Sequence, residues 1–273
     1  MPSLKDIKTQ INSVGSTKKI TSAMKMVAAS KLRRSQEKAE AARPYSSRLE
    51  EMLSSLASSA ASGEGIIKLL TGTGNDQNYI VVPVSADRGL CGGFNSSINR
   101  ETFKLVKSLE GNGKKVQLMP VGKKSRDFFN RLMKDQIIES FVDLNVSSTG
   151  YESALNISNK LQELYFDGKF DKCILVFNKF KSAISQEVTQ QQLIPLDVSN
   201  SEKEEEKENS SNAIYDYEPD EETILKDLLP KNVSIQIFKV LLESDAGEQG
   251  ARMAAMDNAC LLYTSDAADD TTG

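Results

Sequence analysis

The chain contains no histidine and no tryptophan, and only 6% of its residues are aromatic. The first absence removes Ser-His-Asp and Cys-His nucleophilic catalysis, imidazole-ligated zinc and histidine proton switching together. The scarcity of aromatics leaves aliphatic side chains and methionine to build the core. The three cysteines, Cys91, Cys173 and Cys260, are odd in number and far apart. They make neither a disulfide framework nor a metal knuckle, and a reducing compartment is expected. No apolar run approaches the roughly 18 residues of a membrane span, and the opening MPSLKDIKTQ is charged where a secretory leader would be apolar. The expectation is a chain neither secreted nor membrane-spanning.

What is present is a chain of 273 residues, 39% hydrophobic and 26% charged, long enough to bury a sizeable core. Its net charge of -4 conceals a polarised distribution. Lys5 to Arg48 carries eleven Lys/Arg against three acids, while Glu202 to Glu222 carries ten acids against two lysines.

From Pro2 to about Ala61 the only breakers are Gly15 and Pro44. Leu4, Ile7, Ile11, Val14, Ile20, Met24, Val27, Leu32, Leu49, Met52, Leu53 and Leu56 recur at mostly helical spacing in a narrow stripe close to a coiled-coil seam. Such a helix is roughly 80 Å long and must project from a domain of this size. Pro44 should bend it. After the Gly-rich stretch from Ser62 to Asp76 the period changes. Strands are expected at Tyr79–Val84, Lys115–Val121, Ile137–Val142, Cys173–Phe180 and about Glu187–Pro195, with helices at Ser96–Leu109, Lys123–Lys134 and Tyr151–Phe166 between them. This alternation predicts a Rossmann-like α/β unit with a mostly parallel sheet. Residues 199–219 are too acidic and polar to bury and read as an exposed loop. A second helical stripe starts near Asp220 and runs through Leu229, Val233, Ile237, Val240 and Met256. Neither stripe can be buried alone, so the two arms should pack antiparallel with the α/β unit inserted between them. The expected division is 1–61 for the first arm, 62–198 for the α/β unit, 199–219 for the loop, 220–259 for the second arm and 260–273 for an atypical tail.

The loop Asp87-Arg-Gly-Leu-Cys-Gly-Gly-Phe-Asn follows a strand and precedes a helix, where backbone N–H groups can cradle a phosphate. Its glycine spacing is neither that of a dinucleotide fingerprint nor that of a P-loop, which favours a tight structural turn. Cys91 within it becomes a reactive thiol only if the helix terminus lowers its pKa, and no base accompanies it. The basic face Lys18, Lys19, Lys25, Lys31, Arg33, Arg34 and Lys38 suits nucleic acid, an anionic membrane or an acidic protein, or is simply solvated. The absence of interleaved aromatics argues against single-strand stacking. Glu248 and Arg252 share a helix face, and as an exposed pair contribute only about 0.5 kcal/mol. Gly247 and Gly250 cost about 1 kcal/mol each against Ala, offset by close helix approach or by compliance.

Three stretches, Ile11-Asn-Ser-Val-Gly-Ser-Thr-Lys-Lys-Ile-Thr-Ser-Ala-Met-Lys-Met-Val-Ala-Ala-Ser-Lys-Leu-Arg-Arg, the Asp87–Asn95 loop and Gly247-Glu-Gln-Gly-Ala-Arg-Met-Ala-Ala-Met-Asp-Asn-Ala, together resemble the gamma-subunit family of F-type rotary ATP synthases. The resemblance implies a central rotor shaft with no active site, cofactor or metal of its own. It implies coupling of proton flow through the membrane c-ring to ATP synthesis in the alpha/beta ring. On this resemblance Lys18, Lys19, Ile20, Thr21, Met24, Glu248 and Arg252 meet the lever of the beta subunit, and Tyr217 and Glu218 lie near the epsilon subunit and the membrane ring. Nucleic acid is not an expected partner, and the chain is peripheral to the membrane rather than inserted. A start at Pro2-Ser-Leu-Lys without a transit segment resembles a bacterial form, on the cytoplasmic side of the inner membrane. After Ala259 the family pattern stops, and the expectation is a truncated second helix that leaves the stripe from Leu4 to about Ile20 short of its partner. Two other classes stay open on the residues alone: an α/β phosphate- or nucleotide-binding enzyme, and a basic coiled-coil nucleic-acid binder.

Overall fold

In a computed structural model, residues 3–57, 68–144, 146–182, 185–196 and 221–269 are described. The long helix α1 spans Leu4–Ala57 with Pro44 inside it. Its start is a reciprocal cap: the Ser3 N–H donates to Asp6 Oδ2 at 3.1 Å, and the Asp6 N–H donates to Ser3 Oγ at 3.3 Å. The second long helix, α6, spans Glu221–Asp269 with Pro230 inside it. It therefore continues through Cys260, Leu261 and Leu262, past the point where the recognisable sequence pattern stops.

The two long helices pack antiparallel. Thr21 meets Cys260 with Oγ and Sγ 3.0 Å apart, Lys25 pairs with Asp257 at 2.6 Å, and Ser35 hydrogen-bonds Asp245. Ala28, Leu32, Leu49 and Leu53 of α1 are buried in or beside this seam. Leu4, Ile7 and Ile11 at the start of α1 are 73%, 43% and 64% exposed, so this end of the stripe lies outside the packed seam. Helix α6 buries more than one stripe: Leu225, Leu229, Val233, Ile235, Ile237, Val240, Leu241 and Leu242 are all covered. It has neighbours on two sides, α1 on one and the α/β unit on the other.

That unit contains a short helix α2 (Lys68–Thr71), β1 (Asn78–Pro83), α3 (Phe94–Gly111), β2 (Lys115–Leu118), α4 (Lys123–Leu132), α5 (Val146–Phe166), β3 (Lys172–Phe180) and β4 (Gln186–Ile194). The strand order is β2-β1-β3-β4, with β2, β1 and β3 parallel and β4 antiparallel to β3. The central strand β1 is buried from Tyr79 to Pro83, which explains its unbroken apolar sequence. One core cluster packs Phe94, Ile98 and Val106 of α3 with Phe129 of α4 and with Val81 and Val176 of the sheet. The other packs Ile157 and Leu161 of α5 and Val233 and Leu241 of α6 with Ile80, Val82 and Leu175.

Two expected strands are corrected. The run Lys115–Val121 ends as a strand at Leu118, and Ile137–Val142 is not a strand. The latter segment touches the sheet edge through isolated bridges, Leu118 to Ile137 and Val121 to Phe141. Pro120 lies between those bridges and has no N–H to donate, so a regular ladder cannot run through. Residues 199–219, expected as an acidic loop, lie outside the described residues.

A polar network that composition did not reveal holds the start of the sheet. The Asp171 carboxylate, 6% exposed, accepts the Gln77 N–H at 3.0 Å, the Asn78 N–H at 2.9 Å and the Thr73 hydroxyl at 2.8 Å. Burial opposes its ionisation, but these hydrogen bonds outweigh burial and hold the carboxyl below its ordinary range. A group with a depressed folded-state pKa stabilises above its unfolded pKa and loses that contribution as pH falls through the folded value. Asp171→Asn should therefore cost about 2 kcal/mol at neutral pH in urea unfolding. The difference from the parent chain should shrink once the pH drops below about 4.

Candidate functional site

The loop from Val84 to Gly93 leaves β1 and reverses into α3 within a few residues. Gly92 and Leu90 take positive φ values of 55° and 61°. For Leu90 this left-handed backbone costs about 1 kcal/mol, and the side chain is left 65% exposed rather than buried. Asn95 holds the turn by accepting the Ala86 N–H at 2.9 Å and donating to the Arg88 carbonyl at 3.3 Å. Cys91 is buried beneath it. Burial pushes its thiol pKa up, and the field of Glu248 adds to this, so Cys91 is not an activated thiol.

The same loop also fills amides of α4. Asp87 Oδ1 accepts the Lys123 N–H at 2.9 Å, and Ser85 Oγ accepts the Ser125 N–H at 2.9 Å, so side chains fill the amides at the start of α4. Gly122 passes so close that a Cβ would collide with the Ser85 carbonyl. In open α/β sheets ligands enter the crevice where the strand order reverses, here between the ends of β1 and β3. Helix α6 occupies that place. Ser244 donates to the Val84 carbonyl at 3.4 Å, and a Cβ on Gly247 would lie 3.2 Å from the Phe94 ring and 3.6 Å from the Asn178 carbonyl. Gly247 is there for close approach. A nucleotide in this crevice would have to displace the protein's own helix, which removes the support for the nucleotide-enzyme reading.

Between α1, this loop and α6 lies an open groove of about 1200 Å³. Ile20, Met24, Lys31 and Arg34 line it from α1, Asp87, Arg88 and Leu90 from the loop, and Asp245, Glu248 and Arg252 from α6. Four of the sequence-predicted residues are thus brought together: Ile20, Met24, Glu248 and Arg252. Lys18 and Lys19 are exposed on α1 but do not line the groove, and Thr21 is buried in the seam against Cys260. Tyr217 and Glu218 lie outside the described residues. Arg88 and Leu90 were missed as site residues. Their signal was a Gly-rich turn that forces an apolar side chain outward.

Glu248 and Arg252 are not the exposed pair their spacing suggested. They meet at 2.5 Å with side chains only 17% and 12% exposed, because the Arg88–Leu90 turn lies against them. Arg252 also donates to the Gly89 carbonyl at 3.3 Å, tying α6 to the loop. Burial pushes the Glu248 carboxyl above its ordinary range; Arg252 opposes this, while Asp245 and Asp87 reinforce it. Arg252→Gln should cost about 2 kcal/mol at pH 8 by leaving a largely covered carboxylate without its cation. Protonation of Glu248 relieves that cost, so the loss measured by denaturant unfolding should be smaller at pH 5 than at pH 8.

Residues 3–265 match the ATP synthase family. The chain is similar to the ATP synthase gamma chain of Rhodospirillum rubrum, at 53% identity over 262 residues, covering 95% of this chain and 88% of the relative. It is similar to that of Sinorhizobium medicae at 50% identity over 260 residues, covering 95% of this chain and 87% of the relative. Among solved structures it is similar to a chain of the central stalk and c-ring of the Tetrahymena thermophila mitochondrial ATP synthase. The TM-score there is 0.65 with 29% identity, over 88% of this chain and 99% of that one. A rotor chain of the Euglena gracilis mitochondrial ATP synthase has the same fold, with a TM-score of 0.61 at 16% identity over 97% of this chain and 94% of that one.

Proposed function

The chain belongs to the ATP synthase gamma-chain family, and from that premise we propose that it acts as a non-catalytic shaft, coupling proton flow through a membrane ring to ATP synthesis in a surrounding alpha/beta ring. The observation that carries the coupling reading is the groove. It combines a basic α1 face, an outward Leu90 and a largely covered Glu248–Arg252 pair on one side of a paired-helix rod. A feature present on one side of a rod acts as an asymmetric ligand. As the rod turns, it meets each of three surrounding subunits in succession and biases each toward a different conformation.

In this reading Ile20, Met24, Arg88 and Leu90 form the contact surface for an acidic lever on the beta subunit. Lys18 and Lys19 supply positive potential beside it, and Thr21 holds the helix seam behind it. Glu248 and Arg252 position the loop. Tyr217 and Glu218 are assigned to the foot, near the epsilon subunit and the c-ring. None of the described helices is long and apolar enough to cross a membrane, which suits attachment through the ring on the cytoplasmic side of a bacterial inner membrane.

The test is reconstitution with alpha and beta subunits of a close bacterial relative, followed by ATP hydrolysis and ATP-driven proton pumping in vesicles carrying the membrane sector. The parent chain should assemble and support both. Reversing Lys18 and Lys19 to Glu, both exposed, should leave the unfolding curve unchanged while lowering pumping and hydrolysis by roughly tenfold through like-charge contact. Failure of the parent chain to assemble with the ring would overturn the shaft reading, and full activity in the reversed chain would remove those two lysines from it.

A further inference from the structure

Beside the shaft groove, and sharing none of its lining residues, α3 and α4 present a second concave surface of about 460 Å³. Its lining contains three cations, Arg100, Lys124 and Arg131, and the apolar side chains Phe103, Phe128 and Leu132, and no carboxylate. Among the described residues those three cations form no ion pair, although the chain as a whole is acidic. The neighbouring acids are engaged elsewhere: Asp127 binds Arg126 at 2.8 Å, and Glu101 accepts Gln190 at 3.0 Å. Phe103 and Phe128 are half-buried with their inner edges in the core, and Leu132 is 57% exposed.

The spacing within the surface matters. On α3, Ser96, Arg100 and Phe103 fall on one helical face, and on α4, Lys124, Phe128, Arg131 and Leu132 do the same. These two stripes bring three apolar side chains and three cations together in one groove, which suits a single helix. The apolar side chains take apolar anchors at i, i+3 or i+4 and i+7, and the cations take acidic flanks. We infer that this α3–α4 groove is a docking site for an acidic amphipathic helix of a partner protein, separate from the shaft groove. Charge complementarity selects the occupant. A basic helix would meet three like charges and no opposite one. A flat anionic membrane would engage the cations but leave the apolar part of the groove unfilled.

The probe is a fluorescein-labelled synthetic helix with leucine along one face and glutamate on both flanks, titrated against the full chain by fluorescence anisotropy. Saturable binding is expected, weakening with added salt. It should fall by roughly tenfold for each of Arg100→Glu, Lys124→Glu and Arg131→Glu, and also for Leu132→Ser. All four positions are exposed, and circular-dichroism melting should show each variant folded; Arg100→Gln and Arg131→Gln serve where a reversal does not fold. Equal binding by the reversed chains, equal binding of a lysine-flanked version of the helix, or no binding at all would overturn the inference. So would charge-dependent binding to phosphatidylglycerol vesicles by a chain that ignores the peptide, since the surface would then be a membrane contact.

Discussion

Everything in this molecule depends on the pairing of its two ends. Helix α1 carries a narrow apolar stripe over 54 residues and little else to hold it in water, and an isolated helix of that composition gains nothing from its stripe until a partner covers it. Helix α6 supplies the partner from the far end of the chain. Small residues such as Ala28 and Ala246 at the seam let the backbones approach. A seam built only of alanine and aliphatic residues would tolerate sliding by a turn. The polar contacts across it, Thr21 with Cys260, Ser35 with Asp245 and Lys25 with Asp257, are each satisfied in one register only. They contribute specificity more than stability, the Lys25 pair being nearly half exposed.

Helix α6 does a second job with its other face. By filling the crevice at the ends of β1 and β3 it turns a sheet architecture suited to ligands into a clamp on a rod. Ser244, Gly247 and Arg252 touch the sheet and the β1–α3 loop at successive turns of the helix, and Asp87 and Ser85 complete the closure by filling the amides of α4. These contacts tie the α/β unit to the rod at several separate points.

Much of this was legible in residue order. The change from helical spacing to short apolar runs located the α/β unit, and the two unpartnered stripes required an antiparallel pair. The sequence also marked Ile20, Met24, Glu248 and Arg252 as one surface through family resemblance, although nothing in their spacing could say that a loop from residue 88 to 90 would bury the latter two. That step depends on contacts between segments far apart in the chain. The Asp171 network was hidden for the same reason, because its partners at 73, 77 and 78 are close only once β1 and β3 pair. The failed strand at Ile137–Val142 has a local cause legible in the sequence: Pro120, just past the end of β2, stands where a donor to it would be needed.

If the groove is the coupling surface we propose, the energetics of coupling constrain which of its contacts matter. To carry a partner from one conformation to the other at 99:1 in each direction requires a differential of about 5.5 kcal/mol. Rim charges such as Lys18 and Lys19, worth at most about 1 kcal/mol each in water, cannot supply that alone. An exposed Leu90 that becomes covered in one partner conformation and not in another adds about 2 kcal/mol, and Ile20, 60% exposed on the opposite wall, adds a similar amount. The sum reaches the requirement only if charge and apolar contacts act together and the surface holding them does not yield. Under the proposed shaft role, a loop strained at Leu90 and pinned by Arg252 meets that condition. A softer loop would relax into each partner equally well, and equal affinity for two states moves neither.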